Sequence, residues 1–118
     1  MEKKGVINLA NSIFSGVRAK WQPLYEQLRH IALEKIGEFD EYETTKAILW
    51  KHTSTFAEVS ANKDYMVVAF ASDVLHDEWK PLKVLQTSRN RVVHYFKVTD
   101  NTLFSALVER IGQAYILT

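Results

Sequence analysis

Cysteine is missing from this chain of 118 residues, which rules out a disulfide framework, a thiolate nucleophile and a thiolate-ligated zinc or iron–sulfur centre. Glycine and proline are scarce, at 4 and 2. The glycines, Gly5, Gly16, Gly37 and Gly112, fall in or beside expected helices, so no Gly-rich phosphate loop and no Gly-X-Ser-X-Gly elbow can be built from them. Charge of one sign is lacking too. With 15 basic and 14 acidic residues the net charge is +1, and binding to nucleic acid or an anionic membrane would need a local patch. No apolar run reaches the roughly 18–20 residues of a spanning helix. Asn8, Asn11, Ser12 and Ser15 interrupt the first apolar residues, which speaks against a signal peptide. The expectation is a cytoplasmic protein with no cofactor, no metal and no membrane partner. What the chain does have is 47% apolar and 12% aromatic residues, enough for one globular domain over 1–118.

Along the chain, Val6, Ile7, Ala10, Ile13, Phe14 and Val17 are spaced for an amphipathic helix over Lys4 to Val17, though the Asn, Ser and Gly16 content leaves a partly ordered arm open. If helical, it is a candidate homodimer contact. Trp21, Leu24, Tyr25, Leu28, Ile31, Ala32 and Ile36 predict a helix over Lys20 to Ile36, with Pro23 in its first turn and Gly37 at its end. Glu38, Asp40, Glu41 and Glu43 read as an acidic connector. Thr44 to Thr53 then reads as one strand. Ser54 to Ala61 and Asp64 to Ser72 flank Asn62-Lys63, a two-residue hairpin signal that sets Val59 against Met66 and Ala57 against Val68. Leu82 to Leu85 is a short extended piece, and Arg91 to Thr99 alternates as a strand. Asp100, Asn101 and Thr102 supply caps for a closing helix with Leu103, Phe104, Leu107, Val108, Ile111, Ala114 and Tyr115 on one face. Helices, then antiparallel strands, then a helix predict an α+β two-layer domain.

Three stretches carry a family likeness. They are TTKAILWKHTSTFAEVSANKDYMVVAF, LQTSRNRVVHYFKVTD and a last helix ending in QAY. The pairing of Lys46 with Trp50 and Lys51, then Phe56-Ala57, Asn90-Arg91-Val92-Val93-His94 and Ala114-Tyr115, resembles an uncharacterised bacterial and archaeal family of unknown function, once labelled "predicted transport protein". The likeness runs from Trp21 through Tyr115 and leaves residues 1–19 outside. It implies an intact α+β domain over 20–118, found alone or joined to other domains, and no catalytic residues. Nothing in the residues supports transport, because there is no span and no nucleotide-binding loop.

Catalysis is the minority expectation. His30, His52, His76 and His94 are scattered, and His76, Asp77 and Glu78 are consecutive and so point apart. A binding surface is easier to argue. Lys83, Arg89, Arg91, Tyr95 and Lys97, joined by Lys46, Lys51 and His94, would make a basic, aromatic-interleaved face for a nucleic-acid or protein partner. Trp50, Tyr65 and Trp79 are candidate partner or pocket aromatics. The competing reading is a ligand-binding or enzymatic pocket between helix and sheet, lined by Trp50, Tyr65, His94 and Tyr95.

Overall fold

A computed structural model describes residues 13–73 and 80–116. Trp79, His76 to Glu78 and the first part of the N-terminal segment lie outside the described residues. A 3-10 turn over Gly16–Trp21 leads into helix α1, Gln22–Lys35. Six strands follow, β1 Asp40–Glu43, β2 Ile48–Lys51, β3 Thr55–Ala61, β4 Met66–Ser72, β5 Lys83–Ser88 and β6 Arg91–Val98, and helix α2, Phe104–Ile116, closes the domain. The strands form one antiparallel sheet in the order β1-β2-β3-β4-β6-β5. This is the expected α+β domain, with both helices on one face of the sheet.

Each helix buries the stripe its spacing marks. Tyr25, Leu28 and Ala32 turn inward from α1, and Phe104, Leu107, Val108, Ile111 and Ala114 from α2. Gly37, at φ 128°, ends α1 in a conformation other residues avoid, and Tyr115 Oη lies 3.6 Å from where a Cβ would stand. Gly16, at φ 59°, breaks a helical reading of residues 4–17 before its end. Ile13 and Phe14 are nonetheless buried, with Phe14 packed on Tyr25 at 5.1 Å between ring centroids. Ahead of α2 the Asp100 carboxylate accepts the Thr102 N–H at 2.9 Å. That bond holds the carboxyl below its usual range, so its contribution is present above the ordinary carboxylate pKa and lost as pH falls through the folded value. Asp100→Ala is expected to lower the thermal midpoint at neutral pH, and the difference should vanish in strong acid.

Two strand expectations need correcting. Thr44 to Thr53 is not one strand: the Thr44 hydroxyl accepts the N–H groups of Lys46 and Ala47, and the Thr44 N–H donates to the Ala47 carbonyl at 2.8 Å. These bonds fold 44–47 into a turn, and the supposed acidic loop before it becomes β1. The hairpin register is also displaced, since Val59 opposes Val68, Ala57 opposes Phe70 and Ala61 opposes Met66. The cause is Asn62, whose side-chain oxygen accepts the N–H groups of Asp64 and Tyr65 at 2.8 and 2.9 Å while its own N–H donates to the Tyr65 carbonyl. An Asx turn thus takes Asp64 and Tyr65 into the loop. Because the slip is two residues on β4, every side chain keeps its expected face.

The core lies between helices and sheet. Trp50 is fully buried among Phe39, Phe56 and Tyr25, stacked on Phe39 at 4.6 Å. Trp50 opposes Ala57 while Lys51 opposes Thr55, which makes Phe56 an extra residue in β3. This β-bulge turns Phe56 inward beside Ala57, where its ring meets Tyr115 edge-on at 5.1 Å.

Candidate functional site

Alternation along β6 decides where the candidate residues go. His94, Phe96 and Val98 are buried on the helix side, while Arg91, Val93, Tyr95 and Lys97 occupy the opposite face. His94 is therefore no part of a basic surface: its ring stacks on Phe70 and Phe96 at 5.7 and 6.0 Å. Across the face turned away from the helices one row of paired residues runs Tyr42, Leu49, Glu58, Ala69, Tyr95, Lys83. The Lys83 ammonium sits over the Tyr95 ring at 4.6 Å and the Lys97 ammonium over Tyr65 at 5.3 Å. Tyr95 is held above the ordinary phenol value, first by burial and then by the Glu58 charge.

The expected surface splits in two. Lys83, Tyr95 and Lys97 gather on β5 and β6, with Tyr65, just before β4, beside Lys97, and Arg89 stands in the turn between β5 and β6. Lys51 sits on β2 with its ammonium over Tyr42, and Lys46 is in the β1–β2 turn. With β3 and β4 intervening, β2 and β6 are about 14 Å apart. The pocket expected from Trp50, Tyr65, His94 and Tyr95 is not formed either. Trp50 and His94 are core residues, whereas Tyr65 and Tyr95 lie beside Lys97 and Lys83 on the face turned away from the helices.

Two features were not anticipated. Edge strand β5 is exposed along its whole length, with Val84 and Leu85 at 39% and 48% exposure and Leu82, just before it, at 50%. Val84 pairs with His94 and so faces the helix side, yet α2 lies over β3 and β4 and leaves this end of the sheet uncovered. Residues 80–99 carry Lys80, Lys83, Arg89, Arg91 and Lys97 and no carboxylate, so a nearly neutral protein has a locally basic edge. Four of these, Lys83, Arg89, Arg91 and Lys97, belong to the basic face expected from the sequence, and the exposed apolar row of β5 beside them is what was not anticipated.

The second feature is a cleft of about 480 Å³ lined by Phe56, Ala71, Ser72, Asp73, Asn90, Arg91 and Ala114. Its origin lies in the strand ladders. β3 and β4 stay paired only as far as Ala57 and Phe70, whereas β4 and β6 continue to Ser72 and Val92. Beyond the bulge β3 separates from β4, and Arg91 reaches across the opening to place an N–H 3.5 Å from the Thr55 carbonyl. Small side chains at Ala71 and Ala114 leave the space unfilled. A groove of about 580 Å³ runs between α1 and α2, lined by Ile31, Ile36, Val108 and Gly112 together with Lys35 and Glu109.

Among the described residues no group of three or more His, Asp or Glu is placed to hold a metal ion, and no helix is long and apolar enough to cross a membrane. No curated protein and no solved structure matches the chain. A family match does cover residues 10–118, beginning upstream of Trp21. With that match spanning nearly the whole sequence, the chain belongs to the family described as Domain of unknown function (DUF5655).

Proposed function

We propose that this domain is a non-catalytic binding module that takes an extended segment of a protein partner alongside β5, with side chains that alternate between acidic and apolar. The observation that carries this reading is the edge strand itself. Among the described residues β5 pairs with β6 alone, and it carries apolar side chains on both faces, Leu85 beside Lys83 on one and Val84 on the other. Main-chain bonds from an added strand supply affinity, and alternate side chains supply specificity. Lys83, Arg89 and Lys97 favour an acidic partner, and the exposed leucines and valine favour a protein over a polyanion alone.

Nucleic acid is the less suitable occupant. Base stacking needs free ring faces, and Lys83 and Lys97 already lie over Tyr95 and Tyr65, with Glu58 two strands away facing the same solvent. Fluorescence anisotropy with a labelled peptide of alternating Glu and Val, and with labelled single- and double-stranded oligonucleotides, separates the two at low and high salt. The peptide is expected to bind, and Lys83→Glu or Val84→Asp to weaken it by roughly tenfold or more. Binding of the oligonucleotides without the peptide, or peptide binding indifferent to both substitutions, overturns the reading.

A further inference from the structure

We infer that the cleft between the separated ends of β3 and β4 is a binding site for a small zwitterion of the free amino-acid type, with Arg91 and Asn90 on the carboxylate, Asp73 on the ammonium and Phe56 against the side chain. The inference stands apart from the β5 edge, because no residue of the cleft belongs to β5.

Four observations converge. The volume, about 480 Å³, lies within the range of roughly 300–1,000 Å³ typical of small-molecule sites. The lining is chemically mixed, with Ser72, Asp73, Asn90 and Arg91 supplying polar groups and Phe56, Ala71 and Ala114 apolar surface. That mixture suits a molecule with a polar head and a compact body. The charges are of both signs and remain distinct. Continuing the β4–β6 register beyond Ser72 and Val92 brings Asp73 opposite Arg91, yet no ion pair among the described residues joins them, and Arg91 instead spans the gap toward Thr55. A planar guanidinium that retains donors matches a carboxylate, and a carboxylate beside it accepts from an ammonium. A dianion would be repelled by Asp73 and a simple cation by Arg91, so the zwitterion satisfies both. Finally, the apolar floor is fixed. The bulge that aims Phe56 inward also locks its ring edge-on to Tyr115, which is itself stacked on His52 at 4.4 Å. A site with a rigid wall loses little order when a ligand enters.

Isothermal titration of the full chain with each of the free L-amino acids is the test, followed by the amide and N-acetyl derivatives of the tightest binder. At least one free amino acid is expected to bind saturably, and both derivatives to bind about tenfold more weakly or worse, because each removes one charge. Arg91→Gln should weaken binding by a similar factor. Ala114→Leu, which fills the cleft, should abolish it. Ala114 is a core position, so Arg91→Gln, at an exposed residue, keeps the test decisive if the leucine variant does not fold. Lys83→Glu, which disables the proposed peptide edge, should leave amino-acid binding unchanged. Absence of binding by every free amino acid, binding that survives the loss of either ligand charge, or indifference to Arg91→Gln overturns the proposal.

Discussion

Glu41→Ala is expected to destabilise the domain by roughly 3 kcal/mol, read as a fall in the urea midpoint at unchanged slope. The reason is a polar cluster sealed under the aromatic core. Tyr25 donates its hydroxyl to Glu41 Oε1 at 2.5 Å, Arg29 Nε donates to Glu41 Oε2 at 2.6 Å, and Trp50 Nε1 donates to Tyr25 Oη at 3.0 Å. The Glu41 side chain is fully enclosed while that of Arg29 is 28% exposed, so on losing its partner Arg29 can turn partly to water, which holds the cost at the lower end for a broken buried pair. Glu41→Gln keeps an acceptor of the same shape and should cost about 1–2 kcal/mol. The cluster also gives alkaline sensitivity a direction. Burial first, and then the Glu41 charge, raise the Tyr25 phenol above its ordinary value. A raised acid binds its proton more tightly when folded, so this stability is complete below about pH 10 and is lost as pH rises beyond it. Removing the Glu41 charge should make that alkaline loss shallower. A Glu41→Ala protein within about 0.5 kcal/mol of the parent would mean that the cluster is not formed.

Trp50→Ala should cost about 3–5 kcal/mol, a large part of the 5–15 kcal/mol that holds a domain of this kind together. Its ring joins three segments, meeting Phe39 before β1, Phe56 in the bulge and Tyr25 in α1. Truncation leaves a cavity whose walls are set by three different segments and cannot close together. Trp50→Phe restores part of the volume but removes the indole donor to Tyr25, and should cost about 2 kcal/mol. Because Glu41 and Trp50 act on the same phenol oxygen, the double variant Glu41→Ala with Trp50→Phe should lose less than the two singles added. Strict additivity in a chemical-denaturation cycle would show that the two bonds do not communicate.

These effects explain which parts of the molecule the sequence could and could not announce. Periodicity marked both helices and the alternation of β6, because spacing along one element is a local property. What it missed depends on partners distant in the chain. Asp40 to Glu43 looked like a solvated connector because nothing nearby says that Arg29 and Tyr25 will neutralise Glu41. Asn62 looked like a backbone turn residue, while its side chain in fact closes the loop. Lys83, Tyr95 and Lys97 share a face, and adding His94 to them set aside the alternation of β6, which puts residue 94 on the side opposite 95 and 97. Joining Lys46 and Lys51 to that face required the strand order, which only the assembled sheet supplies. The cleft was the least legible part, because it results from two ladders stopping at different residues.

The position of β6 between β4 and β5 has a consequence for exchange of parts. β5 contributes one ladder, to β6, and no buried side chain, so its removal leaves the β4–β6 ladder and the Trp50 cluster complete. The last strand of the sheet can thus peel away or be replaced by an equivalent strand from another chain at a cost confined to its own bonds. Fusion to further domains at that edge would trade one strand for another without disturbing the core.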